Sequence, residues 1–494
     1  MSISSTIKSI QDIMRKDVGV DGDAQRIGQL VWMLFLKIFD DREQEWDVLY
    51  DNYKSPIPEQ LRWRNWAADP EGITGDDLKN FIDNNLFPGL QTLEPTGDDY
   101  RGVVIRNVFE DAYNYMKSGQ LMRQVINKLQ SGVNFNKSAE RHELGDMYEQ
   151  ILKDLQSAGN AGEFYTPRAV TQFMVNRVDP KLDEKVMDPA CGTGGFLTCT
   201  IDHKRTRYVK TPQDEQTLQR TIMGVEKKPL PHLLATTNLI LHGIEMPDQI
   251  KRDNTLARPL ISWGPKERVD VIIANPPFGG MEEDGIETNF PAAFRTRETA
   301  DLFMTLFIHL LRNGGRAAVV LPDGFLFGEG MKTRLKEKLL NECNLHTIVR
   351  LPNGAFSPYT GIKTNLLFFT KGKPTENVWY YEHPYPDGVK NYNKTKPMRF
   401  EEFQTEIDWW GDETEGFADR EETEQAWKVS LDDIKARNYN LDIKNPHQGE
   451  LVNYDPDELL ARYEQQQVEI QGIRDQLRGI LAEALSEKTA GGTA

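Results

Sequence analysis

Hydrophobic spacing divides the chain into three stretches of different character. From Ala24 to Phe39, apolar residues fall at Ile27, Leu30, Val31, Leu34, Phe35 and Ile38. That rhythm of threes and fours predicts a helix with one buried face. The region to about residue 135 continues mostly helical, punctuated by loops such as "YKSPIPEQ" and "LEPTGDD". Its carboxylates are scattered, which suits a structural or docking role. A further helical face follows in "HELGDMYEQILKDL", where Leu144, Met147, Tyr148, Ile151, Leu152 and Leu155 align.

The second stretch alternates. "KVMD", "TIMGVE", "VDVIIA", "RAAVVLP", "TIVRLP" and "TNLLFFTK" are short apolar or β-branched runs that predict strands. Between them, "LLATTNLILHGI" and "LFMTLFIHLL" predict helices, and the Gly-Gly pair of "RNGGRAA" predicts a stop between helix and strand. Strand–helix alternation over roughly 250 residues predicts a doubly wound α/β sheet. In "GEFYTPR", Pro167 suits the first turn of a new helix and Thr166 its N-cap.

The third stretch starts near Asp455. Leu459, Tyr463, Ile470, Ile473, Leu477, Ile480 and Ala484 step by threes and fours, with Gln466 and Gln467 where one apolar position is due. This predicts one long amphipathic helix with no second heptad segment to receive it. Either it folds back on the amino-terminal helices or it pairs with a partner, and the second is favoured.

Composition narrows the class. A hydrophobic content of 38% excludes wholesale disorder. Cys191, Cys199 and Cys343 show no metal-ligand spacing, which argues for reduced thiols and against a disulfide framework or a zinc site. "MSISSTIKSI" lacks a signal-peptide pattern, and "LVWMLFLKIF" is too short for a membrane span and contains Lys37. A cytoplasmic protein without membrane association is expected. The net charge of −17 is unfavourable for gripping DNA unaided, so another chain is expected to supply much of any such grip. Part of the excess lies in "EEFQTEIDWWGDETEGFADREETE", which reads as a solvated acidic segment.

Two strand ends carry candidate chemistry. In "DPACGTGGF", Asp188 ends a strand, and Gly192, Gly194 and Gly195 let the backbone approach a ligand before a helix opens. The spacing is neither GxGxxG nor a P-loop. Glu226 ends the next strand, where α/β nucleotide folds set a carboxylate against ribose hydroxyls. On its own it is as easily a surface carboxylate. In "ANPPFGG", a proline pair ends "VDVIIA" and holds Asn275 and Phe278 on a stiff turn. Open α/β sheets bind ligands at that edge.

Taken together, "GEFYTPR", "DPACGTGGF", "ANPPFGG", "GGRAAVVLPDGFLF" and "TGIKTNLLFFTK" behind a helical amino-terminal domain resemble S-adenosylmethionine-dependent DNA adenine methyltransferases. More closely, they resemble the modification subunits of type I restriction–modification systems. The resemblance covers nearly the whole chain. It implies a helical amino-terminal domain over 1–135, a catalytic methyltransferase domain over 136–450 and a partner-docking tail over 451–494. Glu163, Phe164, Tyr165, Thr166, Pro167 and Arg168 would close over the cofactor's methionine portion. Asp188, Thr193, Gly194 and Gly195 would surround its methionine and ribose, Glu226 would hold the ribose hydroxyls, and Asp253 and Asn254 would lie near its adenine.

The same resemblance gives the turn a chemistry. The Asn275 side-chain oxygen and the Pro276 carbonyl would accept the two N–H groups of an adenine amine, and Pro277 would stiffen the turn. Phe278 would stack on a base rotated out of the duplex. No cysteine stands in a Pro-Cys setting, so cytosine-C5 chemistry is excluded. No basic, aromatic-interleaved block follows the Asn-Pro-Pro motif, which implies that a separate specificity subunit reads the sequence. The implied partners are DNA, one specificity subunit for two modification subunits, and a restriction subunit in the full complex. Two rivals remain: a protein-glutamine methyltransferase, which shares the Asn-Pro-Pro-aromatic motif, and a non-catalytic scaffold of the same fold.

Overall fold

The computed structural model describes residues 3–95, 99–132, 148, 166–357, 360–393, 395–447, 463, 465–468 and 470–479. It divides into two units, Met1–Lys444 and Asn445–Ala494.

In the larger unit, nine strands among the described residues form one sheet: β1 (Val186–Asp188), β2 (Ile222–Glu226), β3 (Ile250–Arg252), β4 (Val269–Ala274), β5 (Leu311–Pro322), β6 (Cys343–Arg350), β7 (Thr364–Lys371), β8 (Asn377–Glu382) and β9 (Ala426–Ser430). Their order is β3-β2-β1-β4-β5-β7-β6-β8-β9. The pairs from β3 across to β5 are parallel, and β7 runs antiparallel to both β5 and β6. The chain therefore steps outward from β1 to β3, then returns to lay β4 on the other side of β1.

A sheet covered on both faces needs strands that are apolar throughout. β4 is buried at all six positions. Ile272 and Ala274 join one core with Ala317, Val319 and the helix Thr299–Leu310. Val271 and Ile273 join the other with Ala318, Val320 and the helix Arg168–Val178. Asp270 is tolerated inside this strand because its carboxylate accepts the Lys185 backbone N–H at 2.8 Å.

The amino-terminal helices form a separate core around Trp32, Phe35, Phe39 and Trp46. The helix predicted from residue 24 to 39 runs on, from Asp23 to Leu49. Trp46 continues its buried stripe two turns beyond Phe39, and a buried Lys37–Asp41 ion pair one turn apart joins them at 2.6 Å. The same core takes in Leu233, Leu234, Ile240 and Leu241 of the helix Pro229–Leu241, which links the helical domain to the sheet.

Four expectations need correction or restriction. Thr166 is not the N-cap: the helix starts at Arg168, with Pro167 in the cap position. The Gly-Gly pair does not precede β5 but lies within it. The register shifts from Val269↔Leu311 to Val271↔Arg316, so Arg312–Gly315 bulge out, with Gly314 at φ +81°. The acidic segment is not simply solvated. Phe403, Glu406, Trp410 and Arg420 are buried on the sheet, where Glu406 bonds His383 and Arg420 lies over the Phe417 ring. The helical face from Leu144 to Leu155 lies outside the described residues except for Tyr148, whose buried hydroxyl donates to the Leu234 carbonyl at 3.2 Å.

In the smaller unit, the described residues between 463 and 479 are helical, with Tyr463, Ile470, Ile473 and Leu477 exposed; Leu459, Ile480 and Ala484 lie outside the described residues. No described helix is long and apolar enough to cross a membrane.

Candidate active site

Because β2 and β4 flank β1 on opposite sides, the sheet reverses its strand order at the β1/β4 boundary. A crevice opens at such a point, outside the carboxyl ends of the strands. A cavity of about 450 Å³ lies there. Thr166, Asp188, Thr193, Gly195, Glu226, Asp253, Asn254, Asn275 and Pro277 all line it.

The wall from β1 and β2 is tied together by its own backbone. The Cys191 N–H donates to the Val225 carbonyl at 3.0 Å, and the Gly192 N–H donates to Glu226 Oε2 at 3.0 Å. Glu226 Oε1 accepts the Lys228 N–H at 2.7 Å, and the Asn238 amide donates to the Thr193 carbonyl at 3.2 Å. Gly192 sits at φ +54°, and a side chain there or at Gly195 would meet nothing within 4 Å. Both glycines therefore leave open space beside the backbone. Burial raises the Asp188 carboxyl to about 8, with the Ala190 N–H opposing the rise and the nearby Glu226 charge adding to it. Burial also pushes the Cys191 thiol far up, which leaves it an inert packing group.

The wall from β4 is built differently. Asn275 Nδ2 donates to the Thr166 hydroxyl at 2.9 Å. Its other half, Oδ1, is buried and has no hydrogen-bond donor among the described residues. Asn275 and Pro277 line the cavity, whereas Pro276 is buried and Phe278 packs into the core. Phe278, only 6% exposed, belongs to the core that contains Val271 and Phe173. The expectation that it stacks on a base is thus not met in this conformation, because the turn sends it into the core.

Three further residues expected at the site do not line the cavity. Arg168 pairs with Asp202 at 3.3 Å, Pro167 caps a helix, and Gly194 faces Leu239. Glu163, Phe164 and Tyr165 lie outside the described residues. Conversely, Glu282 lines the cavity without having been anticipated. It accepts from Asn254 Nδ2 at 3.3 Å and from the Thr299 hydroxyl at 3.3 Å, tying the loop after Pro277 to the opposite wall. An acid four residues past the Phe of "NPPF" was the available signal. Thr171 and Phe303, also on the lining, come from helices whose sequence shows only helical periodicity.

Comparison with known proteins gives a consistent result. Residues 139–454 match the model for N-6 DNA Methylase, and residues 3–129 match that for the HsdM N-terminal domain. The type I restriction enzyme EcoEI methylase subunit of Escherichia coli is 68% identical over 98% of this chain and 99% of its own. A solved structure described as a modification subunit of a type I restriction enzyme from Vibrio vulnificus YJ016 is 44% identical, covering 92% of this chain and 98% of its own at a TM-score of 0.81. A chain from a structural study of type I R-M complex assembly and conformational transition is 35% identical, covering 97% and 98% at a TM-score of 0.79.

Proposed function

Because the chain belongs to the N-6 DNA methylase family and carries an HsdM N-terminal domain, we propose that its adenine-methylating chemistry is performed at the Asn275 turn. The protein is an adenine-specific DNA methyltransferase, the modification subunit of a type I restriction–modification system, with S-adenosylmethionine as methyl donor. When bound, the cofactor supplies a methyl group activated on a sulfonium centre.

The observation that carries the residue assignment is Asn275 on the cavity lining with a buried Oδ1 that has no donor among the described residues. An adenine amine is a poor nucleophile because its lone pair is delocalised into the ring. Asn275 Oδ1 and the Pro276 carbonyl accept its two N–H groups, which favours a more tetrahedral nitrogen with the lone pair free to attack. Held this way, N6 would present its lone pair to the methyl group that the bound cofactor supplies, and the proton that N6 sheds would pass to water. Positioning and hydrogen bonding supply the acceleration, so no strong base is required. Phe278 supports the turn from the core side.

The β1–β2 wall suits the cofactor. Open space beside Gly192 and Gly195 admits its backbone-hugging portion. A carboxylate can accept about four hydrogen bonds, so Glu226 can receive ribose hydroxyls alongside two amides. Asp188 and Thr193 would hold the methionine and ribose, and Asp253 and Asn254 the adenine. Thr166, on the same lining, would meet the methionine portion.

We assign 1–135 to the helical domain, 136–450 to catalysis and 451–494 to docking on the specificity subunit, two modification subunits to one. The complex works on cytoplasmic DNA, with a restriction subunit in the full assembly. Deletion from Asp455 onward is expected to spare cofactor binding and abolish co-elution with the specificity subunit. Co-expression with that subunit, followed by mapping of methylated adenines in host DNA, tests the catalytic assignment. Asn275→Ala should erase the marks, and a retained methylation pattern would refute its role. The protein-glutamine and scaffold readings predict no methylated adenine for either chain.

A further inference from the structure

An asparagine side chain presents a carbonyl on one side and two N–H donors on the other. Only the carbonyl is useful to an amine whose N–H groups must be accepted so that its lone pair is freed. Something must therefore choose which half of Asn275 meets the target. Its contact is the Thr166 hydroxyl, which accepts from Nδ2 at 2.9 Å and leaves Oδ1 without a donor among the described residues.

Thr166 is well held for this purpose. Residues before proline are confined to extended backbone. Pro167, at φ −54° and ψ 137°, leads directly into a helix whose Phe173 and Met174 are fully buried. A hydroxyl can donate as well as accept, so geometry alone does not fix the choice. Among the described residues nothing takes the Thr166 proton, and Thr166 lines the same cavity as the cofactor wall. S-adenosylmethionine brings one anionic acceptor, its methionine carboxylate. Were that carboxylate to take the proton, the hydroxyl could only accept, and Asn275 would be locked with Oδ1 as the half left for the adenine.

We propose that Thr166 is a positioning residue that relays cofactor occupancy to the Asn275 amide. The proposal rests on the Asn275 assignment and adds a regulation to it: the adenine acceptor is set only when cofactor is present. Linkage then requires that cofactor and target adenine strengthen each other's binding.

The test uses the assembled complex with its specificity subunit and duplex DNA, comparing the parent, Thr166→Val and Thr166→Ser. S-adenosylhomocysteine, which retains the carboxylate but has no methyl to transfer, probes the coupling without turnover. In the parent it should raise affinity for target DNA; in Thr166→Val that gain should vanish, while Thr166→Ser keeps it. Single-turnover methylation at saturating cofactor should fall roughly tenfold in Thr166→Val, the size of one oriented hydrogen bond, and recover in Thr166→Ser. A parent without the gain, a valine variant that keeps the gain or the saturated rate, or a valine and a serine variant that behave alike would overturn the relay. A dead Asn275→Ala beside a fully active Thr166→Val refutes only the relay, whereas an active Asn275→Ala refutes the reading beneath it.

Discussion

The carboxyl ends of β1 and β2 and the carboxyl end of β4 face one cavity but are built on opposite principles. At the first, the backbone is closed on itself: the Gly192 N–H on Glu226 and the Cys191 N–H on Val225. At the second, half of the Asn275 amide is anchored on Thr166 and the other half is buried with no donor among the described residues; Asn238, behind the first turn, also keeps a donorless Oδ1, but only Asn275 lines the cavity. Leaving a buried carbonyl unpaired costs about 1–3 kcal/mol. Native structures tolerate that mainly where a ligand later supplies the missing partner. The difference teaches where each task resides. Binding is built in advance at β1 and β2, and the chemistry waits on the acceptors of the Asn275 turn at β4.

Breaking the β4 side should have the largest effect. Asn275→Ala is expected to slow methyl transfer by roughly 1,000-fold, the upper range for losing one group that acts on the reacting centre. Incorporation of labelled methyl into target DNA measures it. Damage to the other side should appear in affinity. Gly195→Val fills open space on the cavity wall and is expected to weaken cofactor binding by roughly 100-fold with little change in thermal midpoint. Gly194→Val differs, because at φ +81° and 3.2 Å from Leu239 it strains the turn and should lower the midpoint as well. Calorimetry beside thermal unfolding separates the two glycines. Glu226→Gln, which exchanges an acceptor of the Gly192 N–H for an amide, should cost about tenfold in affinity and leave the saturated rate unchanged.

The smallest effect sharpens the comparison through pH. The Asp188 carboxyl is raised from 3.8 to about 8 by burial, so the folded chain holds a proton there that the unfolded chain releases. The stability contributed by this proton is full below pH 3.8 and is lost as pH rises toward about 8. In the cofactor-free chain, the thermal midpoint should fall between roughly pH 6 and 8, and Asp188→Asn should flatten that fall. An unchanged slope would mean that Asp188 is already ionised.

Much of this was legible in the sequence where neighbours in the chain are also neighbours in space. β4 was readable to its last residue, because a doubly covered strand must be apolar throughout and a proline pair must end it. Asp188, Glu226 and Asn275 were readable because the first two end strands and the third directly follows one. The misses share a different cause. β3 is three residues long and carries Lys251 and Arg252, and β9 sits behind an acidic run whose buried members could not be told from its exposed ones. Phe278 shows that residue type does not reveal which side of a turn a side chain takes. Glu282 and Thr166 acquire their meaning from partners 28 and 109 residues away, a pairing only the fold makes.

The division of labour is tested most directly by calorimetric titration of S-adenosylmethionine into the Asn275→Ala chain. The account predicts an affinity within about twofold of the parent, because every proposed cofactor contact lies outside the β4 turn. A loss of affinity matching that of Glu226→Gln would contradict it and make Asn275 part of the binding wall.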